Sequence, residues 1–161
     1  NSAGITRFTD AQFDMVRLGI GLYGFSGVAK DQKHLQNVAT LKTIITQIKT
    51  VREGETIGYN RSDTAEKDLT VGIIPIGYAD GYFREFGCGR GKVYVNGKYA
   101  RTLGKICMDM CMLDITDIVA NEGDEVLVFP DLARAAQEIG TIPYELLTSI
   151  SSRVKRVYFY D

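Results

Sequence analysis

The dipeptide Asn96-Gly97, set between Lys92-Val93-Tyr94-Val95 and Lys98-Tyr99-Ala100, constrains this chain more than any other feature. A two-residue Asn-Gly link accepts positive φ at both central positions and matches the twist of paired strands, so it specifies a tight antiparallel hairpin. An isolated hairpin is marginal in water, so further strands must flank it. The rest of the chain supplies them as short β-branched runs separated by glycine-rich breaks, with 17 glycines against three prolines. A mainly β domain with tight turns is expected.

The run Gly72-Ile73-Ile74-Pro75-Ile76 has the apolar density of a strand buried on both faces, and it leads into Gly77-Tyr78-Ala79-Asp80-Gly81. Gly77 and Gly81 permit positive φ or close backbone approach, so Tyr78 is either a half-buried turn tyrosine or a side chain aimed into a cleft. Long strands are expected from Val38 to Val51 and from Leu103 to Ile115. Asp109 lies inside the second, and a carboxylate among apolar residues wants a partner or an opening to a cleft. Thr56 to Asn60 reads as extended, residues 61–68 as loop, and Glu125 to Phe129 as a strand. Asp131 suits the N-cap of a helix running through Gln137 and ending near Gly140, and Pro143 suits the first turn of a second helix. Arg153 to Tyr160 alternates as a final strand.

Residues before Val38 differ in kind. The opening Asn1-Ser2-Ala3-Gly4 reads as a cut into a larger protein, with Ser2 placed to cap a helical piece from Ile5 to Phe8. Met15 to Leu18 reads as a buried strand carrying Arg17. That arginine either reaches solvent from a strand end or meets an acceptor, because an unpaired buried guanidinium is very costly. Gly19, Gly21 and Gly24 leave backbone amides free to approach an anion. Residues 25–37 are polar and aperiodic, and read as a linker containing a solvated His34.

A formal net charge of −1 gives no electrostatic case for nucleic acid or an acidic membrane surface. No apolar run nears the roughly 18 residues of a spanning helix. Neither a nucleic-acid partner nor a membrane partner is therefore expected. Cys88, Cys107 and Cys111 are odd in number, which argues against a disulfide framework and for a reducing cytoplasm. With His34 distant in sequence, Cys107 and Cys111 do not make a zinc site, and each cysteine reads as a buried small hydrophobe or an unreactive thiol.

Seven separate stretches, in order, resemble the pyridoxal-phosphate-dependent alanine racemases. They are Asn1-Ser2-Ala3, Met15-Val16-Arg17 with Gly19-Ile20, Gly58-Tyr59, Pro75 to Gly81, Cys107-Met108-Asp109, Thr141-Ile142 with Tyr144-Glu145, and Arg153-Val154 with Arg156. The resemblance implies a fold type III enzyme of pyridoxal 5'-phosphate, in which an N-terminal (β/α)8 barrel precedes a C-terminal β-barrel-like domain. Residues 1–27 would be a remnant of the cofactor-binding barrel and 28–37 a linker. Residues 38–161 would form the β domain, with one or two short helices near its end. The cofactor-bearing lysine of the family belongs to the barrel and has no counterpart in this chain, so the chain alone is expected to be inactive. The closing Arg153 to Phe159 is similar to racemase domains fused to a cell-wall precursor ligase.

The implied activity is interconversion of L-alanine and D-alanine for peptidoglycan synthesis by a cytoplasmic homodimer with shared active sites. Proton removal on one face of Cα and donation on the other needs two bases. The resemblance assigns one to the absent lysine and the other to Tyr59, a phenol that needs positive charge nearby to serve as a base near neutrality. It places Arg17 at the cofactor's ring nitrogen, where a permanently protonated guanidinium donates without yielding its proton. Ser2 with the amides of Gly19 and Ile20 would hold the phosphate. Ser152 stands where the family usually has a phosphate-binding tyrosine. Tyr78, Arg84, Lys105, Met108 and Asp109 would face the substrate or the mouth of its channel, Met108 through its backbone N–H. Lys105 stands where an arginine is common, which keeps the charge but loses a fork. The alternatives are a non-catalytic dimerisation or binding module, and a racemase for another amino acid such as serine.

Overall fold

The computed structural model describes residues 1–159, and the chain divides into two compact units, Asn1–Thr40 and Leu41–Asp161. The first unit holds two short helices, α1 (Ser2–Arg7) and α2 (Ala29–Gln32), with 3-10 turns at Thr9–Ala11 and Ile20–Tyr23. Asn1, not Ser2, caps α1, its side chain accepting from the Gly4 amide at 2.9 Å. Met15 to Leu18 is not a strand: it is irregular, and Met15 is 80% exposed. A lone extended segment has no ladder partner within these 40 residues, so neither its backbone nor its apolar side chains are covered. The closing segment departs in the same way, with no strand among the described residues after Ser149. Tyr160 at its end lies outside the described residues.

The second unit is built on β1 (Lys42–Ile44), β2 (Gln47–Val51), β3 (Thr56–Ile57), β4 (Asp63–Thr64), β5 (Leu69–Ile74), β6 (Lys92–Val95), β7 (Lys98–Leu103), β8 (Cys111–Asp114) and β9 (Glu125–Leu127). Two helices follow, α3 (Leu132–Ile139) and α4 (Pro143–Ser149). Seven strands form one sheet in the order β1-β9-β6-β7-β8-β5-β2, and β3 pairs with β4. The hairpin closes where Asn96-Gly97 places it, with Val95 opposite Lys98 and Tyr94 opposite Tyr99.

The long strand expected from Val38 to Val51 is two strands on opposite edges of the sheet. Only Ile45 and Thr46 separate β1 from β2, so the sheet must curl until its edges meet. The two residues make that join with their backbones: the Ile45 amide donates to Asp124 O at 3.0 Å and the Thr46 amide to Ile73 O at 2.8 Å. The outcome is the β-barrel-like domain expected. β7 carries the bend, pairing with β6 through Arg101 and with β8 from Thr102 onward.

Inside the curl, Ile45, Ile74, Val93, Val95, Leu113 and Val126 are essentially fully buried, and each contributes about 2 kcal/mol of apolar burial. β5 buries Leu69, Val71, Gly72 and Ile74, so the strand is covered on both faces as its composition predicts. α3 begins at an Asp131 cap that accepts from the Arg134 amide at 3.0 Å and ends at Gly140 with φ 76°. It buries Leu132, Ala135 and Ala136, one helical stripe. Phe86 lies among Tyr82 and Phe129, its ring stacked on Tyr82 at 4.7 Å between centroids. Cys111 is buried, which pushes its thiol pKa up, whereas Cys88 is exposed, so of the two expected readings burial applies to Cys111 and not to Cys88. No helix among the described residues is long and apolar enough to cross a membrane.

Asp114 illustrates how a carboxylate is kept on this surface. Burial alone would raise its pKa, but donation from the Thr116 hydroxyl at 2.7 Å and amide at 3.1 Å, with Arg101 Nε at 3.2 Å, holds it below the usual carboxylate range. A depressed folded-state pKa stabilises the fold above the unfolded value of about 4, and that contribution is lost as pH falls through the folded value. Asp114→Asn should therefore lower the thermal midpoint at neutral pH, and the gap from wild type should shrink as pH falls below the ordinary carboxylate range. A gap independent of pH contradicts this account.

Candidate active site

One loop gathers the site of the second unit. The strand expected from Leu103 to Ile115 breaks into β7 and β8, and residues 104–110 between them turn outward. Gly104 takes φ 59°, a left-handed conformation that starts the excursion. Ile106 remains buried and anchors it, while Lys105, Met108 and Asp109 are exposed.

Three other turns meet this loop, each carrying a residue singled out from the sequence. Tyr59 opens a 3-10 turn, Tyr59–Arg61, so the expected extended run ends at Ile57. That turn is tied to the loop by the Lys105 amide donating to Ser62 Oγ at 2.9 Å and the Gly104 amide donating to Asp63 Oδ2 at 3.1 Å. Tyr78 opens the turn Tyr78–Asp80, whose amides dock on the loop: Tyr78 N–H donates to Cys107 O at 3.1 Å and Ala79 N–H to Met108 O at 3.0 Å. Arg84 opens the turn Arg84–Phe86, which reaches the loop through the Cys88 amide donating to Gly104 O at 2.7 Å.

The side chains this creates are accessible. Tyr59 is 66% exposed, Met108 53% and Tyr78 45%. The Tyr59 hydroxyl, the Lys105 ammonium, the Arg84 guanidinium and the Met108 N–H have no protein partner among the described residues. With the exposed Tyr78 ring, such a surface offers two phenols, two cations and one backbone donor, a set suited to a small molecule carrying a carboxylate. Its polar members are not consumed by the fold.

Asp80 and Arg153 are not among the residues to which the resemblance gives a site role, and both are structural to the site. Asp80 is 8% exposed and accepts from the Gly77 amide at 2.9 Å, closing the turn that carries Tyr78. Its other oxygen accepts from Arg153 Nε at 2.7 Å, while Arg153 Nη2 donates to Asp109. These hydrogen bonds raise the arginine's pKa, first through Asp80 and then through Asp109. The sequence signal was an acidic residue between two glycines. Its partner lies 73 positions away, and no local pattern indicates it. Ser152, adjacent to Arg153, is exposed and has no hydrogen-bond partner among the described residues.

The first unit gathers its own group. Ser2 Oγ accepts from the Gly19 amide at 3.1 Å and the Gly21 amide at 3.2 Å. Ile20 opens the 3-10 turn, where the first amides have no acceptor inside the turn. Arg17 is exposed and makes no ion pair among the described residues. The Ser2 hydroxyl hydrogen, the Ile20 amide and the Arg17 guanidinium are all donors, so the chemistry of this group suits an anion and a neutral ring nitrogen. The Gly19 amide is already engaged by Ser2.

Comparison with known proteins follows the same lines. A family model described as alanine racemase, C-terminal domain, matches residues 38–158. Alanine racemase 1 of Clostridium acetobutylicum is 41% identical over 169 residues, covering 98% of this chain and 44% of the relative. The solved alanine racemase of Clostridium difficile 630 superposes with a TM-score of 0.89 at 41% identity, covering 99% of this chain and 43% of that one. The alanine racemase of Bartonella henselae with covalently bound pyridoxal phosphate gives 0.88 at 35% identity, covering 99% and 45%. The chain thus spans less than half the length of the relatives it matches. By its sequence, its strand order and the family model that covers its β domain, this chain belongs to the alanine racemases.

Proposed function

We propose that this chain supplies the β-domain half of an active site that interconverts L-alanine and D-alanine, as part of a longer cytoplasmic racemase. Residues 1–27 are then the end of the cofactor-binding barrel, 28–37 the linker, and 38–161 the β domain. The reading rests on one observation above the others: the loop of residues 104–110 draws Tyr59, Tyr78 and Arg84 to the same place as Lys105, Met108 and Asp109.

Tyr59 acts as the base on one face of the substrate, exchanging a proton between its phenol oxygen and Cα. The Met108 N–H, free of any protein acceptor among the described residues, binds the substrate carboxylate. Tyr78 walls the pocket, Asp109 stands at its edge, and Arg84 and Lys105 draw anionic substrate to its mouth. In the first unit, Arg17 would donate to the cofactor's ring nitrogen, and Ser2 with the Gly19 and Ile20 region would hold its phosphate. Pyridoxal phosphate, carried on a lysine outside this chain, supplies the delocalisation that makes the α-proton of an amino acid removable. Each site combines the barrel of one subunit with the β domain of its partner, so the homodimer is the catalytic unit. The D-alanine formed would serve peptidoglycan synthesis.

The test is the full-length protein loaded with pyridoxal phosphate and given L-alanine. Conversion to an equal mixture of enantiomers is expected. Retention of pure L-alanine would overturn the reading in favour of a binding module, and faster racemisation of serine would reassign the substrate.

A further inference from the structure

Arg153 spans two carboxylates that sit on different parts of the site. Asp80 closes the Tyr78 turn from within, and Asp109 follows Met108 on the loop. The segment bearing Arg153 is itself pinned down. Arg156 donates to the carbonyls of Ile150, Ser151 and Val154, and the Ser151 amide donates to Asp80 O at 3.1 Å. At Gly81, a Cβ would stand 2.7 Å from Ser149 O, so the turn and the end of α4 touch backbone to backbone. The guanidinium therefore projects from a fixed base and reaches both groups through separate nitrogens.

We propose that Arg153 is a positioning residue that holds the Met108 loop in register with the Tyr78 turn, and through it sets substrate affinity. The proposal rests on the racemase reading for its effect on substrate, but not for its effect on the loop. The backbone bonds of Tyr78 and Ala79 to Cys107 and Met108 hold one side of the junction. Asp109, immediately after, is half exposed, and Arg153 is its one ion-pair partner among the described residues. Without Arg153, the loop keeps its anchor at Ile106 but loses its tether just beyond Met108. A lysine keeps the charge yet cannot address two carboxylates from a fixed fork.

The experiment uses the full-length holoenzyme with Arg153→Met, Arg153→Lys, Asp109→Asn and the Arg153→Met/Asp109→Asn pair. Arg153→Met should raise KM for alanine at least about tenfold while kcat changes less than about threefold, the signature of lost binding common to ground and transition states. Arg153→Lys should fall between it and wild type, and the double variant should be no worse than Arg153→Met alone, because Asp109→Asn removes only a contact that Arg153→Met has already removed. Amide exchange supplies the readout that does not depend on activity: the Tyr78 and Ala79 amides should exchange about tenfold faster in Arg153→Met, with β6 and β7 unchanged. Unchanged KM together with unchanged exchange overturns the proposal. A uniform rise in exchange across the sheet overturns it too, since that describes general destabilisation. If the wild-type enzyme racemises nothing, the functional reading fails, and the exchange result alone decides whether Arg153 positions the loop.

Discussion

Replacing Tyr59 by Phe in the full-length enzyme should lower turnover of L-alanine by about a thousandfold, within the range that a positioned acid or base supplies. The substitution removes one oxygen from a side chain that is 66% exposed and has no protein partner for that oxygen among the described residues. Folding has nothing to lose by it. Gly58, at φ 85°, sets the entry to the turn, and the following Asn60 and Arg61 also take positive φ, so the backbone is shaped by contacts that a ring hydroxyl does not make. A large loss of turnover with an unchanged melting temperature is the expected pair of results. Near-normal turnover in both directions would remove Tyr59 from the chemistry.

Gly77→Ala should cost about 3 kcal/mol of stability, at the upper end for overpacking a close contact. Gly77 takes φ −147° and ψ −164°, an extended conformation open to alanine, so conformational strain is not the issue. Space is. A Cβ there would lie 2.3 Å from Cys107 O and 2.4 Å from Met108 O, both backbone atoms of the loop that carries the site. Gly97→Ala is the contrast: its φ is 85° but nothing lies within 4 Å, so its cost is conformational and about 1 to 2 kcal/mol. Denaturant midpoints order the two variants. Gly77→Ala no more harmful than Gly97→Ala would mean that the turn and the loop are not in such close register.

Local chemistry made part of this fold legible. Asn96-Gly97, the Asp131 cap, the glycine after α3 and the proline opening α4 each act within a few residues, and each does what its side chain or backbone favours. Where long strands were expected, the failure has one cause: apolar periodicity does not reveal which edge of a sheet a strand joins. Ile45 and Thr46 look like the middle of one strand because they continue its pattern, yet they cross from one edge of the sheet to the other. Residues 104–110 likewise read as strand because Met108 and Met110 are apolar, although both face outward.

The site divides in the same way. The glycines around Tyr78 marked a close approach, but the surface being approached was 30 residues further on at Met108. Resemblance to the racemases picked out Tyr59, Tyr78, Arg84, Lys105, Met108 and Asp109. The turns that carry them meet at one loop through backbone bonds that side-chain identity does not encode. Arg153 shows the limit most clearly: by its pattern it reads as part of a final alternating strand, and its partners lie 44 and 73 positions away.

The central claim is that Tyr59 handles the proton on one face of Cα and that a group outside this chain handles the other. Hydrogen exchange at Cα in deuterated water, followed by proton NMR for each enantiomer separately, addresses that claim directly. With Tyr59→Phe holoenzyme, D-alanine should still lose its α-proton signal while L-alanine retains it over the same interval. Equal exchange of both enantiomers, or exchange of neither, would contradict the assignment of a separate base to each face.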